Sequence, residues 1–364
     1  MGPRFFPSRT VALYMARMFL IRTFSILAGL VLVLQTLDLL GESGRILAHA
    51  GNGDAEVWRY LSLRVPEIIA QFLPFSVLLG TIFTLSTLNA NSEVIALKAS
   101  GLSAHQVLAP LLLTALAVAG ISFAFNDRVV SRASATLAEW KRVDYGPLPV
   151  DRGDRNNVWA RTSDDLIHVR AVNGRGDAVR LTDVTIYDRQ GGALIAVIRA
   201  PSGTRAEDGW RLERATRFEV QSGVQQSLGT IIAARGVGPD QFVLARVDAD
   251  GLSFMQLYDA IATLKSAGRP TKALEGDLWH KISKPLSSVL MPLLGAVAAF
   301  GLARSGRLFM RAVIGMMLGF LYFVADNFAL AMGNLNVYPP LLAAWAPFLL
   351  FLLIGEVVLV RTEE

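Results

Sequence analysis

The sequence contains no cysteine. Disulfides, cysteine-based metal sites and thiol catalysis are excluded, and the redox compartment cannot be read. Histidine is scarce: His49, His105, His168 and His280 are scattered, without metal-ligand spacing. There is no Gly-x-x-x-x-Gly-Lys-Ser/Thr stretch, so the chain has no phosphate-binding loop of its own. Neither Gly-x-Ser-x-Gly nor His-Glu-x-x-His occurs, and the acidic residues do not pair as in a glycosidase or protease. Charge is also sparse, 18% of residues against ~25% in soluble domains. Little here argues for an enzyme, and no cofactor is expected.

What the chain has instead is apolar surface. Of 364 residues, 52% are hydrophobic, and the mean hydropathy is +0.43. A bilayer is the natural solvent for such a chain. The formal charge is +5, but the arginines are spread beside hydrophobic spans and through the middle of the chain. Topology explains the basic excess better than a nucleic-acid partner, and none is expected. The N-terminal apolar run is not expected to be a cleavable signal, because Arg17 and Arg22 interrupt it and no small-residue cleavage site follows.

A membrane helix needs ~20 mostly apolar residues. Six stretches qualify: roughly 19–40, 68–90, 106–126, 283–303, 310–332 and 339–360. Charges intrude on the first and fifth, Asp38 and Asp326, and Glu356 lies near the end of the sixth. With both termini inside, the inner segments hold Arg4, Arg9, Arg17, Arg22, Lys98, Arg304, Arg307, Arg311 and Arg361, whereas the short outer loops hold only Arg45, Arg59 and Arg64. That bias places both termini in the cytoplasm and the middle of the chain outside it, in the periplasm of a bacterium.

The expected domains are three helices over 1–126, a soluble region over 127–272 and three helices over 273–364. Residues 127–272 read as mostly β. Asp165–Val172 alternates polar and apolar residues, as a half-buried strand should. Thr182–Asp188 places Val184 and Ile186 inward, Arg189-Gln190-Gly191-Gly192 turns the chain, and Ala193–Ala200 returns. Pro201-Ser202-Gly203 is expected to break that strand, and Trp210–Val220 alternates through Trp210, Leu212, Phe218 and Val220. Turn signals at this interval suggest an antiparallel sandwich or jelly roll. One helix follows: Ser253 and Gln256 have capping-box spacing, Leu257, Ile261 and Leu264 share a face, and Gly268-Arg269-Pro270 ends it.

Between the second and third spans, Ser92–Gly101 reads as a two-turn helix. Ser92 can cap it, Glu93 suits its positive end and Gly101 can terminate it. Ser103 and Gln106 form a second capping box. This turn is either a docking element for a soluble partner or a well-capped connector that binds nothing. Gln35, Asp38, Asp326 and Asn327 lie toward the outer ends of their spans, where they line a cavity or mark helix ends. Gly315-Met316-Met317-Leu318-Gly319 permits close helix contact. Pro74, Pro285 and Pro347 either kink spans two, four and six or lie harmlessly near their ends.

Several stretches together resemble the lipopolysaccharide export permease family, the paired membrane subunits of an ABC transporter. They are Leu73–Gly80, Asn91–Gly101, Asp277–Lys281 with Pro285-Leu286, Gly319–Asp326, and Pro339-Pro340 with Ala343-Ala344-Trp345. The Tyr322…Asp326 spacing looks closer to the G-type than the F-type subunit. The resemblance implies an α-helical membrane protein with six transmembrane helices and a periplasmic β-jellyroll inserted between helices three and four. It implies a second, F-type permease subunit, a cytoplasmic ATPase dimer that binds the ATP, and a periplasmic jellyroll bridge component as partners. Lipopolysaccharide would be drawn from the outer leaflet of the inner membrane and passed onward.

By the same resemblance, Glu93, Val94, Leu97 and Lys98 would couple to the ATPase. Gln35, Asp38, Phe320 and Asp326 would line the substrate cavity. The jellyroll interior, with Val184, Ile186 and Trp210, would receive acyl chains if these are more than ordinary core. Substrate phosphates would favour bases near the outer face, but where G-type subunits often carry them on span one, this chain has Gln35, Gly41 and Glu42. Arg45, Arg64, Arg132, Lys141 and Arg142 are the candidates to compensate. Two rivals remain: a scaffold or sensor with a ligand-binding periplasmic domain, and a lipid-headgroup enzyme that would have to use Asp38, Asp326 and Glu356.

Overall fold

A computed structural model describes residues 8–147, 155–162, 165–173, 179–190, 193–206, 209–237, 249–266, 269–300 and 308–361. Arg4, Gly191, Gly192, Gly268, Arg304 and Arg307, all used above, lie outside them. The chain divides into two compact units, Met1–Pro147 with Asp248–Tyr258 and Pro270–Glu364, and Leu148–Val247 with Asp259–Arg269.

The first unit is helical. Its elements are α1 (Arg9–Ala48), α2 (Asp54–Ala90), α3 (Glu93–Ala99), α4 (Ala104–Phe125), α5 (Ser131–Arg142), α7 (Lys272–Phe300), α8 (Leu308–Asn334) and α9 (Pro340–Arg361). All six predicted spans fall on helices so far as they are described; residues 301–303 of the fourth are not. Among the described residues, five helical stretches are long and apolar enough to cross a membrane. The 40 residues of α1 rise about 60 Å at 1.5 Å each, twice the ~30 Å hydrocarbon core. Its charged ends therefore have room on both sides.

Leu78, Ile82 and Leu85 of α2 share one core with Leu108 and Leu111 of α4 and Leu290, Leu293 and Leu294 of α7. By contrast α1 exposes Ile21, Phe24, Leu32 and Leu37, and α8 exposes Met317, Phe320 and Phe328. Such faces are stable only against lipid or another apolar helix. Glycines set several helix contacts. A Cβ on Gly80 would lie 2.2 Å from Thr23 Oγ1, and one on Gly295 would lie 2.9 Å from Thr81 Cγ2. Gly319, from the small-residue stretch in α8, meets Leu78 in the same way. Pro74, Pro285 and Pro347 all lie inside their helices, which continue through them.

The β expectation for residues 127–272 starts too early. Past Phe125 the chain makes a π-helical turn, Asn126–Val130, and runs on as α5. Leu137 and Trp140 are buried there at helical spacing, so an amphipathic stripe carries the helix past the charges at Asp127 and Arg128.

In the second unit six strands form one antiparallel sheet in sequence order: β1 (Arg155–Thr162), β2 (Asp165–Asn173), β3 (Arg180–Gln190), β4 (Ala193–Ala206), β5 (Gly209–Glu219) and β6 (Gln225–Ala233). Ile167, Val169, Val184, Ile186, Trp210 and Leu212 fill its core. Gln190 pairs with Ala193, as the expected turn requires.

Two expectations fail within the sheet, for one reason. Pro201 does not end β4. In register it falls opposite Asp183 on one side and Arg214 on the other, and neither pair is formed. Those residues have φ of 50° and 52°, so the ladder opens where proline has no N–H to give. The register of β5 against β6 also shifts around Ala215. Ala215 is buried there, while Phe218 and Val220 turn outward at 42% and 44% exposure. The register of β5 against β4 is the same on both sides of Arg214, so the exchange of faces comes from that left-handed residue inside the strand and not from a net slip.

α6 (Phe254–Ser266) has its capping box: Gln256 N–H donates to Ser253 Oγ and Ser253 N–H to Gln256 Oε1, at 3.3 and 3.0 Å. Leu257, Ile261 and Leu264 are buried, as their spacing predicts.

Candidate functional sites at the two ends of the helical unit

At one end α3 joins α2 to α4. Val94 is buried in the bundle core and Leu97 packs against it. The other face is open: Ile95 is 62% exposed, and Ala96, Lys98 and Ala99 are exposed beside it. Gly101 ends the helix at φ 89°. Its N–H donates to Lys98 O at 2.9 Å and that of Leu102 to Leu97 O at 3.3 Å, which is the Schellman pattern. Ser92 does not cap the helix. At φ 60° it is left-handed and its side chain makes no capping bond. Ser103 and Gln106 do form their box, at 2.9 and 3.2 Å. Glu93 accepts from Tyr14 Oη at 3.4 Å and from Asn91 Nδ2 at 3.2 Å, which ties the start of α3 to α1.

The opposite end is a charged latch. Glu42 of α1 accepts from Lys141 Nζ at 3.1 Å, Tyr145 Oη at 2.8 Å and Arg45 Nη1 at 3.3 Å. Arg45 also reaches Asp144 at 3.2 Å. Asp38 accepts from Tyr60 Oη at 2.5 Å and from Arg64 at 3.2 Å, and Arg64 also pairs with Glu67 at 2.7 Å. Asn52 donates to the carbonyls of Ile46 and Tyr145, and Trp140 Nε1 to that of Gly146. Burial and the Glu42 carboxylate push the Tyr145 phenol above its ordinary value.

Beside the latch a cavity of about 510 Å³ opens among α2, the α4–α5 junction, residues 249–250, α7 and α8. Arg64, Lys141, Lys281 and Lys284 bring positive charge to its wall; Glu67, Asp127, Asp250 and Asp277 bring negative charge. Asp127 Oδ1 takes the backbone N–H of Phe254 at 2.5 Å. His280, also in the wall, bonds Asp326 through Nε2 at 2.9 Å, with both side chains mostly buried. No cluster of three or more metal-ligating side chains exists among the described residues.

The sequence matches the family described as "Lipopolysaccharide export system permease LptF/LptG" over residues 13–361. The chain belongs to the LptF/LptG family. It is 24% identical over 325 residues to the lipopolysaccharide export system permease protein LptG of Escherichia coli K12, covering 86% of this chain and 89% of that one. It is 25% identical over 313 residues to LptG of Haemophilus influenzae, covering 83% and 86%. The resemblance to the G-type subunit is thus matched by these relatives. A multi-pass membrane protein of a permease family, with an antiparallel β-sheet in mid-chain, accounts for the composition and the fold together.

Against the LptF/LptG background, the expected site residues divide. Glu93 and Lys98 reach the surface around α3, but Val94 faces inward as its anchor and the partly buried Leu97 packs against the same core. Ile95, not singled out above, is the large apolar side chain offered there; an exposed β-branched residue in a two-turn helix was the available signal. Gln35 is 6% exposed and neither amide atom has a hydrogen-bond partner among the described residues. Asp38 is held by α2, and Asp326 of α8 is buried against His280 of α7, whereas Phe320 points outward at 62% exposure. One chain alone does not gather these four. Of the five candidate bases, Arg45, Arg64 and Lys141 are already paired with carboxylates. Arg132 and Arg142 are exposed and have no ion-pair partner among the described residues.

Proposed function

We propose that this chain is the G-type membrane subunit of an exporter that lifts lipopolysaccharide-class glycolipid from the outer leaflet of the bacterial inner membrane. The observation that carries the reading is α3: Val94 and Leu97 root it in the bundle core while Ile95 and Lys98 face outward beside Glu93. A rooted helix with an open apolar-and-charged face is suited to take a push from a docked motor and pass it to α2 and α4.

In this reading α7 is the fourth of six crossing helices, both termini are cytoplasmic, and the β unit is a periplasmic jellyroll element. The arginine distribution supports that orientation. An ATPase dimer docks at α3 and supplies the ATP site this sequence lacks. An F-type subunit faces the outward apolar side chains of α1 and α8 and completes the cavity, with Phe320 on its wall. The β unit hands the glycolipid to a bridge component. Outside energy is required because each acyl CH₂ taken from lipid into water costs about 0.8 kcal/mol.

Co-purification of the ATPase with the full-length chain, wild type against Glu93→Lys, tests this. The ATPase is recovered with wild type and lost with the charge reversal. If wild type never recovers an ATPase, a non-transporting scaffold is the better reading.

A further inference from the structure

The cavity beside the latch holds charge that the latch does not neutralise. Arg64 and Lys141 in its wall are ion-paired. Lys281 and Lys284, one turn apart on the same face of α7, have no hydrogen bond or ion pair from their ammonium groups to any described residue. Lys281 is partly buried and within electrostatic reach of Asp250, Asp127 and Asp277. In the same wall, and among the described residues, Asp127 bonds only through Oδ1 and Glu67 only through Oε2, so each keeps an oxygen able to accept. The wall therefore offers two ammonium donors and two carboxylate acceptors in one space. Its volume, about 510 Å³, falls in the ~300–1,000 Å³ range of small-molecule sites.

A ligand with one sign of charge would meet repulsion from half of this wall. One with both signs, a few bonds apart, would satisfy it. We propose that the cavity binds a phosphoethanolamine headgroup, with the phosphate on Lys281 and Lys284 and the ammonium on Asp127 and Glu67. Phe123, Val130, Leu137 and Leu330 supply apolar wall for the start of the attached chains. A primary ammonium has three N–H donors for the carboxylates, and a choline group has none. The site therefore prefers ethanolamine to choline, and it does not depend on the transport reading.

The test is lipid retention by the purified, delipidated full-length chain, titrated with phosphatidylethanolamine, phosphatidylglycerol and phosphatidylcholine and read by native mass spectrometry. Phosphatidylethanolamine is expected to bind at least ~10-fold more tightly than either of the others, a difference of about 1.4 kcal/mol. The Lys281→Gln, Lys284→Gln pair removes that preference, and the Lys281→Arg, Lys284→Arg pair keeps it. Competition with lipid A carrying phosphoethanolamine distinguishes the two natural sources: displacement points to the exported glycolipid, and none points to a resident phospholipid. Equal binding of phosphatidylglycerol or phosphatidylcholine overturns the proposal. So does loss of binding in the Arg pair as complete as in the Gln pair, which would make the effect structural.

Discussion

Tyr145, at the corner after α5, donates its phenol to the Glu42 carboxylate of α1 at 2.8 Å, across 103 residues of sequence. Lys141 reaches the same carboxylate from the last turn of α5. Near the end of the first span, Glu42 is an acid that bonds the chain's own bases. The C-terminal end of α1 is held to α5 rather than left open to an anionic ligand.

The latch should be measurable as coupling. Glu42→Ala and Lys141→Ala are each expected to lower the thermal midpoint in detergent by a few degrees, and the double variant by less than their sum. The side chains are 20% and 34% exposed, so the coupling is about 1 kcal/mol or less. Strictly additive effects would show that the ion pair contributes nothing.

Tyr145 also predicts an alkaline limb. Its folded-state pKa is raised, first by burial and then by Glu42, so the folded protein keeps the proton that the unfolded chain loses near pH 10. The contribution is complete below pH 10 and is lost as pH rises above it. Thermal midpoints across this range are expected to fall more steeply for wild type than for Tyr145→Phe. Parallel curves would contradict this.

The glycine contacts predict an asymmetry. A Cβ at Gly80 would strike Thr23 Oγ1 at 2.2 Å and its backbone N and Cα at 3.0 Å. A Cβ at Gly319 would meet only the end of Leu78, Cδ2 at 2.4 Å, before anything at 3.8 Å. A leucine tip can move and a helix backbone cannot. Gly80→Ala is therefore expected to cost about 1–3 kcal/mol and Gly319→Ala much less, in side-by-side detergent melts. Equal tolerance would argue against close α1–α2 packing.

The His280–Asp326 bond joins α7 to α8 with side chains 16% and 10% exposed. Removing one partner leaves a buried polar group alone, and replacing both with apolar residues does not. Asp326→Ala should therefore destabilise more than His280→Leu combined with Asp326→Leu. The reverse order would mean that the pair is retained for stability.

Local signals in the sequence were legible where the physics is local. The boxes at Ser103 and Ser253, the left-handed stop at Gly101 and the inward Val184 and Ile186 depend on neighbours within a few residues. Pro201 was misread because its surroundings are set by other strands, where Asp183 and Arg214 open the ladder, and Phe218 because left-handed Arg214 exchanges the faces of its strand. α5 was hidden because Asp127 and Arg128 look like the end of a span, while the stripe through Leu137 and Trp140 is too short to announce itself. The latch was invisible for a plainer reason. Nothing in a linear sequence joins Glu42 to Lys141, 99 positions away.

The proposed passage of a glycolipid along this chain is tested most directly by a photo-crosslinking residue at Phe320, which points away from the bundle, in cells with the proposed ATPase partner active or inactivated. A glycolipid adduct at Phe320 whose yield changes when the ATPase is inactivated is the predicted result. No glycolipid adduct, or one indifferent to the ATPase, would contradict it.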